Sequence, residues 1–180
     1  MKFIKTSLSG VFEIENSKFQ DSRGSFVKTF HKDVFIENGL EYNFKESYYS
    51  VSKKNVLRGM HFQLPPHDHA KLVYVVDGDI LDVALDISQK STTFGDYFST
   101  RLSCKNAKAL YIEKGYAHGF LTLSKSATVV YLTSTVYASK YDAGVHWDGF
   151  GFDWKGVKNP ITSKRDSSFN KFLKSRLKDT

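Results

Sequence analysis

Apolar and polar residues alternate in short runs along most of this chain, and turn residues bound each run. Glu46–Ser52, Lys71–Val76 and Ala127–Tyr137 are the clearest cases. A period of two sends successive side chains to opposite faces, so these runs predict strands. Asp77-Gly78 lies between KLVYVV and DILDVALDI. Glycine accepts positive φ, and an Asp-Gly pair flanked by β-branched runs predicts a hairpin. Helical periodicity is weak: it predicts one short helix over Asp33–Asn38, closed by Gly39, and another over 168–178. Many short strands with few helices predict an all-β sandwich or jelly roll. No repeat, low-complexity tract or linker interrupts the 180 residues, so 1–180 reads as one domain.

Composition sharpens this reading. Aromatic residues make up 15% of the chain, with 15 Phe and 10 Tyr, and they favour strands and stacking surfaces over a helical bundle. Cys104 is the single cysteine, which excludes an internal disulfide and a multi-cysteine zinc cluster and suits a reducing cytosol. No run approaches the roughly 20 apolar residues of a membrane span, and the first residues lack the apolar core of a signal peptide. The expected location is cytoplasmic, with no membrane partner. The formal net charge is +7. It fits either a phosphate-bearing partner or a solvated basic tail, since much of the excess lies in scattered lysines and the tail KFLKSRLK. Neither a nucleic-acid-binding motif nor a dense basic stripe with interleaved aromatics is present, so no nucleic-acid partner is expected.

Candidate chemistry begins with LRGMHFQ, residues 57–63, which carries Arg58 and His61. Their odd spacing puts them on opposite faces of a regular strand. Gly59 between them permits a bulge that turns both to one cavity; the plainer alternative is a satisfied histidine beside a surface arginine. Lys71 opens the apolar strand KLVYVV and gains significance only if it shares a cavity with His61. Tyr131 lies on one strand face with Val129, Thr133 and Tyr137, from which its hydroxyl can project into a lumen. Asp166 ends the polar segment Ile161–Asp166, where an aspartate is usually a turn residue or cap.

Taken together, Asp21-Ser-Arg-Gly24, Leu57–Gln63, Ala70-Lys-Leu-Val73, Asp82-Val-Ala-Leu-Asp86, Ser91-Thr-Thr-Phe-Gly95, Gly115-Tyr-Ala-His-Gly-Phe120 and Ser-Lys-Arg-Asp166 resemble the dTDP-4-dehydrorhamnose 3,5-epimerase family, in the same order over about residues 10–166. The resemblance implies a cupin-type jelly roll, a homodimer, no metal, no organic cofactor, and a nucleotide-linked 4-keto deoxysugar as substrate. It implies that His61 is the base, Asp166 its orienting partner, Tyr131 the opposing acid and Lys71 the group beside the carbonyl oxygen. Arg23, Arg58, Arg165 and His118 match positions lining the nucleotide-sugar site, Tyr137 a position that stacks on substrate, and Gln63 is assigned to substrate with them. A ketone acidifies the hydrogens on both neighbouring carbons because the carbanion left behind is an enolate. A neutral histidine can remove such a hydrogen, a cation can stabilise the oxyanion, and inversion requires a proton from the other face. His67 and His69 form an apparent His-x-His, but metal-binding cupins follow such a pair with a Glu. Here Ala-Lys-Leu-Val-Tyr follows, and the lysine repels a cation.

The chain departs from the family pattern at Lys28, where Glu is usual, at Glu46-Ser47-Tyr48, where Gln-Val-Asn is usual, and at Asp142, where Glu is commoner. Lys28 and 46–48 fall in the nucleotide-binding region. Thymidine, cytidine or another nucleotide, and inversion at C5, at C3 or at both, therefore stay open at this level. A 3,4-ketoisomerase, a non-catalytic sugar-nucleotide-binding cupin and a metal-dependent oxygenase are the other readings.

Overall fold

The computed structural model describes residues 1–172. Two antiparallel sheets face each other. The first has six strands in the order β1 (Lys2–Lys5), β2 (Val11–Glu15), β10 (Lys108–Ile112), β7 (Lys71–Asp77), β12 (Ser126–Thr133) and β5 (Glu46–Lys53). The second has five: β13 (Asp142–Gly144), β6 (Leu57–Gln63), β11 (Tyr116–Thr122), β8 (Asp79–Asp86) and β9 (Tyr97–Ser103). A separate exposed hairpin pairs β3 (Lys18–Asp21) with β4 (Gly24–Val27). The helices are α1 (Lys32–Glu37) and α2 (Lys164–Ser168). This is the all-β jelly roll the strand pattern predicts.

Residue type decides which faces are covered. β12 alternates, burying Ala127, Val129, Tyr131 and Thr133. With Val73, Val75, Ile80, Ala84, Leu110 and Phe120, its apolar members form the core between the sheets. Each valine, leucine, isoleucine and phenylalanine among them contributes roughly 1.5–3 kcal/mol by leaving water. β11 is buried along its whole length and β8 along nearly all of it, as expected of strands covered on both faces. Trp154 and Val145 pack on the outer face of their sheet. On the outer face of the other sheet, Phe35 of α1 joins Leu72 and Tyr111, and its ring meets Phe3 and Phe30 edge-on. Gly39, at φ +68, donates to the Ile36 carbonyl (2.9 Å) and ends α1 as predicted.

Three expectations need correction. Asp77-Gly78 makes a tight turn, with Gly78 at φ +80, but not a hairpin. β7 pairs with β10 and β12, whereas β8 pairs with β11 and β9. The turn carries the chain from one sheet to the other: its chemistry fixes the reversal, while core packing picks each strand's neighbours. The strand over 127–137 ends at Thr133, where the Thr133 hydroxyl donates to the Thr135 carbonyl (2.9 Å) and the Ser134 amide to the Ala70 carbonyl (3.1 Å). Tyr137 therefore lies in a loop, not on the Tyr131 face. The helix predicted over 168–178 is not formed at 169–172, α2 having ended at Ser168; positions 173–178 lie outside the described residues. Among the described residues no helix is long and apolar enough to cross a membrane.

Candidate active site

The bulge in β6 sets the geometry. His61 pairs with His118 and Arg58 with Phe120, so three steps on β6 match two on β11. The extra residue resets the alternation and turns Arg58 and His61 to the same inner face. Only glycine fits the middle: Gly59 has φ +135, and a Cβ there would lie 2.4 Å from Gly119 Cα. The start of β6 is tied to the C-terminal segment by the Leu57 amide donating to the Ile161 carbonyl (2.9 Å) and the Ile161 amide to the Asn55 carbonyl (2.8 Å). That tie delivers α2. Ser163 caps it by accepting from the Asp166 amide (3.0 Å), and the buried Asp166 side chain turns toward β6.

Asp166 Oδ1 lies 2.9 Å from His61 Nε2, and Oδ2 accepts from the Gly59 amide (3.2 Å). Burial pushes the Asp166 carboxyl up, but the bonds from His61 and Gly59 outweigh it and hold the group at about 2. Burial pushes His61 below its ordinary value despite the carboxylate, with the Lys71 and Arg165 charges adding to the shift. At neutral pH the pair is a neutral imidazole on a carboxylate. The bond to Asp166 places the ring proton on Nε2, so the free lone pair is on Nδ1. Arg165 Nη2 stands 2.8 Å from the same Nε2, and Arg165 also pairs with Asp142.

The facing sheet supplies the other groups. Lys71, Thr133 and Glu46 are aligned across β7, β12 and β5, and Val73, Tyr131 and Tyr48 form the next row. Lys71 is buried and its Nζ donates to the His61 carbonyl (3.0 Å). Burial lowers it to about 8, with Asp142 and Asp82 pulling the other way. The Tyr131 hydroxyl is 3.2 Å from Ser50 Oγ, and its ring stacks on Tyr48 at 4.8 Å between centroids. Burial raises the Tyr131 phenol far above its ordinary value. His118 is buried on Asp82, with Nε2 2.9 Å from Oδ2, and meets Tyr131 edge-on.

Between these groups lies a cavity of about 320 Å³. His61, Lys71, Arg165, Glu46, Tyr48 and Gln63 line it, and Tyr137 and Asp142 also border it. Tyr131, Asp166, Arg58 and His118 do not line it: Tyr131 is stacked on Tyr48, Asp166 is bonded to His61 and His118 meets Tyr131, while Arg58 is exposed. Arg58 Nε donates to Ser52 Oγ (2.9 Å). Ser47, opposite Leu132, points to the other face of β5. Arg23 is paired with Asp21 at the tip of the β3–β4 hairpin, Lys28 follows that hairpin, and both lie outside the cavity. Gln63 spends its amide on the chain: Nε2 donates to the His67 carbonyl (2.9 Å) and Oε1 accepts from the Ala138 amide (2.7 Å). Glu46 Oε2 accepts from the Tyr137 amide (2.7 Å). These two side chains fix the loop that carries Tyr137.

Sequence reasoning passed over Thr133 and His69 as lining residues. Thr133 is two positions from Tyr131 and His69 two from Lys71, so strand period alone could have found the first. His69 Nδ1 lies 3.1 Å from the Gln63 amide and 3.2 Å from Thr135 Oγ1. Burial and Lys71 push it down to about 3. The His67 ring packs on Tyr141 at 4.5 Å. Among the described residues, no group of three or more His, Cys, Asp or Glu side chains gathers in a metal-holding arrangement.

Comparisons with known proteins place the chain in a family. A family profile described as dTDP-4-dehydrorhamnose 3,5-epimerase matches residues 5–174. A curated protein of that name from Methanothermobacter thermautotrophicus is 42% identical over 172 residues, covering 93% of this chain and 92% of the relative. The crystal structure of the Bacillus anthracis enzyme of that name, with TDP and PPi bound, superposes with a TM-score of 0.91 at 33% identity, over 95% of this chain and 99% of the other. A Legionella pneumophila dTDP-6-deoxy-D-glucose-3,5-epimerase in complex with dTDP-4-keto-L-rhamnose gives 0.91 at 31% identity, over 98% and 96%. Profile, sequence and fold coincide over nearly the whole length, and this chain belongs to the dTDP-4-dehydrorhamnose 3,5-epimerase family of isomerases.

Proposed function

We propose that the cavity binds a nucleotide-linked 4-keto-6-deoxyhexose, and that His61, Asp166, Lys71 and Tyr131 divide the epimerisation among them. One observation carries the assignment: His61, backed by Asp166, opens from one sheet onto the cavity, and the facing sheet presents Lys71 and Tyr48 with Tyr131 stacked behind Tyr48. His61 Nδ1 takes the hydrogen next to the ketone. The C–H electron pair forms a double bond from that carbon to C4, and the carbonyl π pair moves onto the oxygen, giving an enolate. Lys71 uses one N–H on the His61 carbonyl and retains two for that oxyanion. Asp166 holds the tautomer and stabilises the imidazolium. The Tyr131 hydroxyl then protonates the carbon from the other sheet, inverting it. Solvent returns a proton to the tyrosinate and takes one from the imidazolium.

The keto activation is assigned to Lys71 and hydrogen-bond donors, so the reaction is proposed to need neither metal nor organic cofactor. Inversion at both C3 and C5 of the thymidine-linked sugar is the reading favoured by likeness to enzymes named for both centres. A homodimer is proposed as well. The β3–β4 hairpin exposes Phe19 and Phe26, at 63% and 61%, and carries Arg23 away from its own cavity. Packed against a second copy, it would cover those rings and bring Arg23 and Lys28 to the partner's nucleotide. The free Cys104 fits a reducing, cytoplasmic setting.

The deciding experiment incubates the protein with thymidine- and cytidine-linked 4-keto-6-deoxy sugars in deuterated water and follows label and configuration by NMR. Deuterium at C3 and C5 with inversion at both supports the full assignment. Label at one centre narrows it, and binding without label overturns it.

A further inference from the structure

On the six-stranded sheet Glu46, Tyr48, Lys71 and Thr133 line the cavity, and Tyr131 does not. Tyr131 is 7% exposed, with its hydroxyl on Ser50 and its ring enclosed by Tyr48 and His118. Tyr48 is 43% exposed. It stacks on Tyr131 with only 20° between the ring planes, and its hydroxyl makes no hydrogen bond among the described residues. β5 is the edge strand of its sheet, and a single stack on a half-exposed ring is a weak restraint.

Building on the proposed function, we propose that Tyr48 is a specificity-determining gate. Its ring stands between the proton donor Tyr131 and the cavity, and it turns aside before the Tyr131 hydroxyl meets the sugar. A nucleotide sugar that displaces Tyr48 is inverted. One that leaves Tyr48 in place is deprotonated by His61 and reprotonated on the same face, giving exchange with retained configuration. The gate therefore selects among 4-keto sugars, and among the carbons of one sugar, by whether the bound ring occupies the place of the Tyr48 side chain.

The test compares the full-length protein with Tyr48→Ala, Tyr48→Asn and Tyr48→Phe. One readout is the ratio of inversion to deuterium uptake, taken with whichever of the thymidine- and cytidine-linked 4-keto-6-deoxy sugars, and at whichever of C3 and C5, the wild-type protein exchanges with retained configuration. The other needs no substrate: the rate of nitration of Tyr131 by tetranitromethane, read by peptide mass spectrometry. Tyr48→Ala and Tyr48→Asn are expected to raise both by about threefold or more, and Tyr48→Phe, which keeps the stack, to hold both within about twofold. Either small variant suffices should the other not fold. Unchanged nitration and ratio in the small variants overturn the gate. So does loss of inversion with retained exchange in Tyr48→Phe, which would make the Tyr48 hydroxyl itself the donor. A wild-type protein that exchanges no hydrogen defeats the proposed function instead, and the nitration rates then decide the gate alone.

Discussion

In the proposed mechanism His61 is a base only while it is neutral, and Lys71 an electrophile only while it is charged, so the two would bracket the working pH. Burial holds His61 below its ordinary 6.5 and brings Lys71 down to about 8. kcat/KM is expected to rise as pH climbs through the lowered His61 value, plateau near neutrality and fall as Lys71 loses its proton near 8; a pH–rate profile checks both limbs. His61→Ala and Asp166→Asn are each expected to cut solvent exchange into substrate by about 10²–10⁴-fold while cooperative unfolding persists, since base and orienting partner act as a unit. Near-normal exchange in either variant removes the pair from the chemistry. Tyr131→Phe is expected to separate the two half-reactions, with deuterium uptake outrunning inversion; equal losses accompanied by a lower melting temperature would mark Tyr131 as structural. Residue types at this scale were readable from the chain, but of their partners only Asp166 was, and that through the family resemblance. Gln63 reads as a substrate contact in the motif, yet its amide is consumed by the His67 and Ala138 backbone.

The decisive element is β6 with its bulge. Gly59→Ala places a methyl group 2.4 Å from Gly119 Cα at φ +135, and the combined strain and clash are expected to cost about 2–4 kcal/mol. Denaturant unfolding measures this; a loss below about 0.5 kcal/mol, the range of ordinary surface changes, would show the bulge is not needed. A glycine between two polar residues of opposite strand phase was a legible bulge signal, because period and residue type are both local. Asp77-Gly78 shows the limit of local signals. Positive φ at Gly78 fixes the turn, whereas the pairing of β7 with β10 and β12 depends on residues about 40 to 60 positions further along the chain. The end of β12 at Thr133 was equally hidden, since Val136 and Tyr137 continue the alternation and only the hydrogen bonds of Thr133 and Ser134 break it.

At the scale of the molecule, activity is expected to survive exhaustive chelation, and loss of activity restored by one added metal would overturn the metal-free proposal. Sedimentation equilibrium is expected to give twice the chain mass, and Arg23→Ala to raise KM more than it lowers kcat if the hairpin reaches a partner's nucleotide; a monomer with full activity would refute both. The sequence by itself determined the strand periodicity, the all-β class, the bulge-forming glycine and the ordered motifs that carry the family resemblance, because each depends on residues near one another in the chain. The family resemblance already implied the pairing of Asp166 with His61 across 105 positions; only the tertiary structure decided that β7 and β8 part into different sheets, that Gln63 and Glu46 serve the Tyr137 loop, and that Tyr48 covers Tyr131. Those facts depend on which distant surfaces pack together, and packing is settled by the burial of the whole core rather than by any local run of residues.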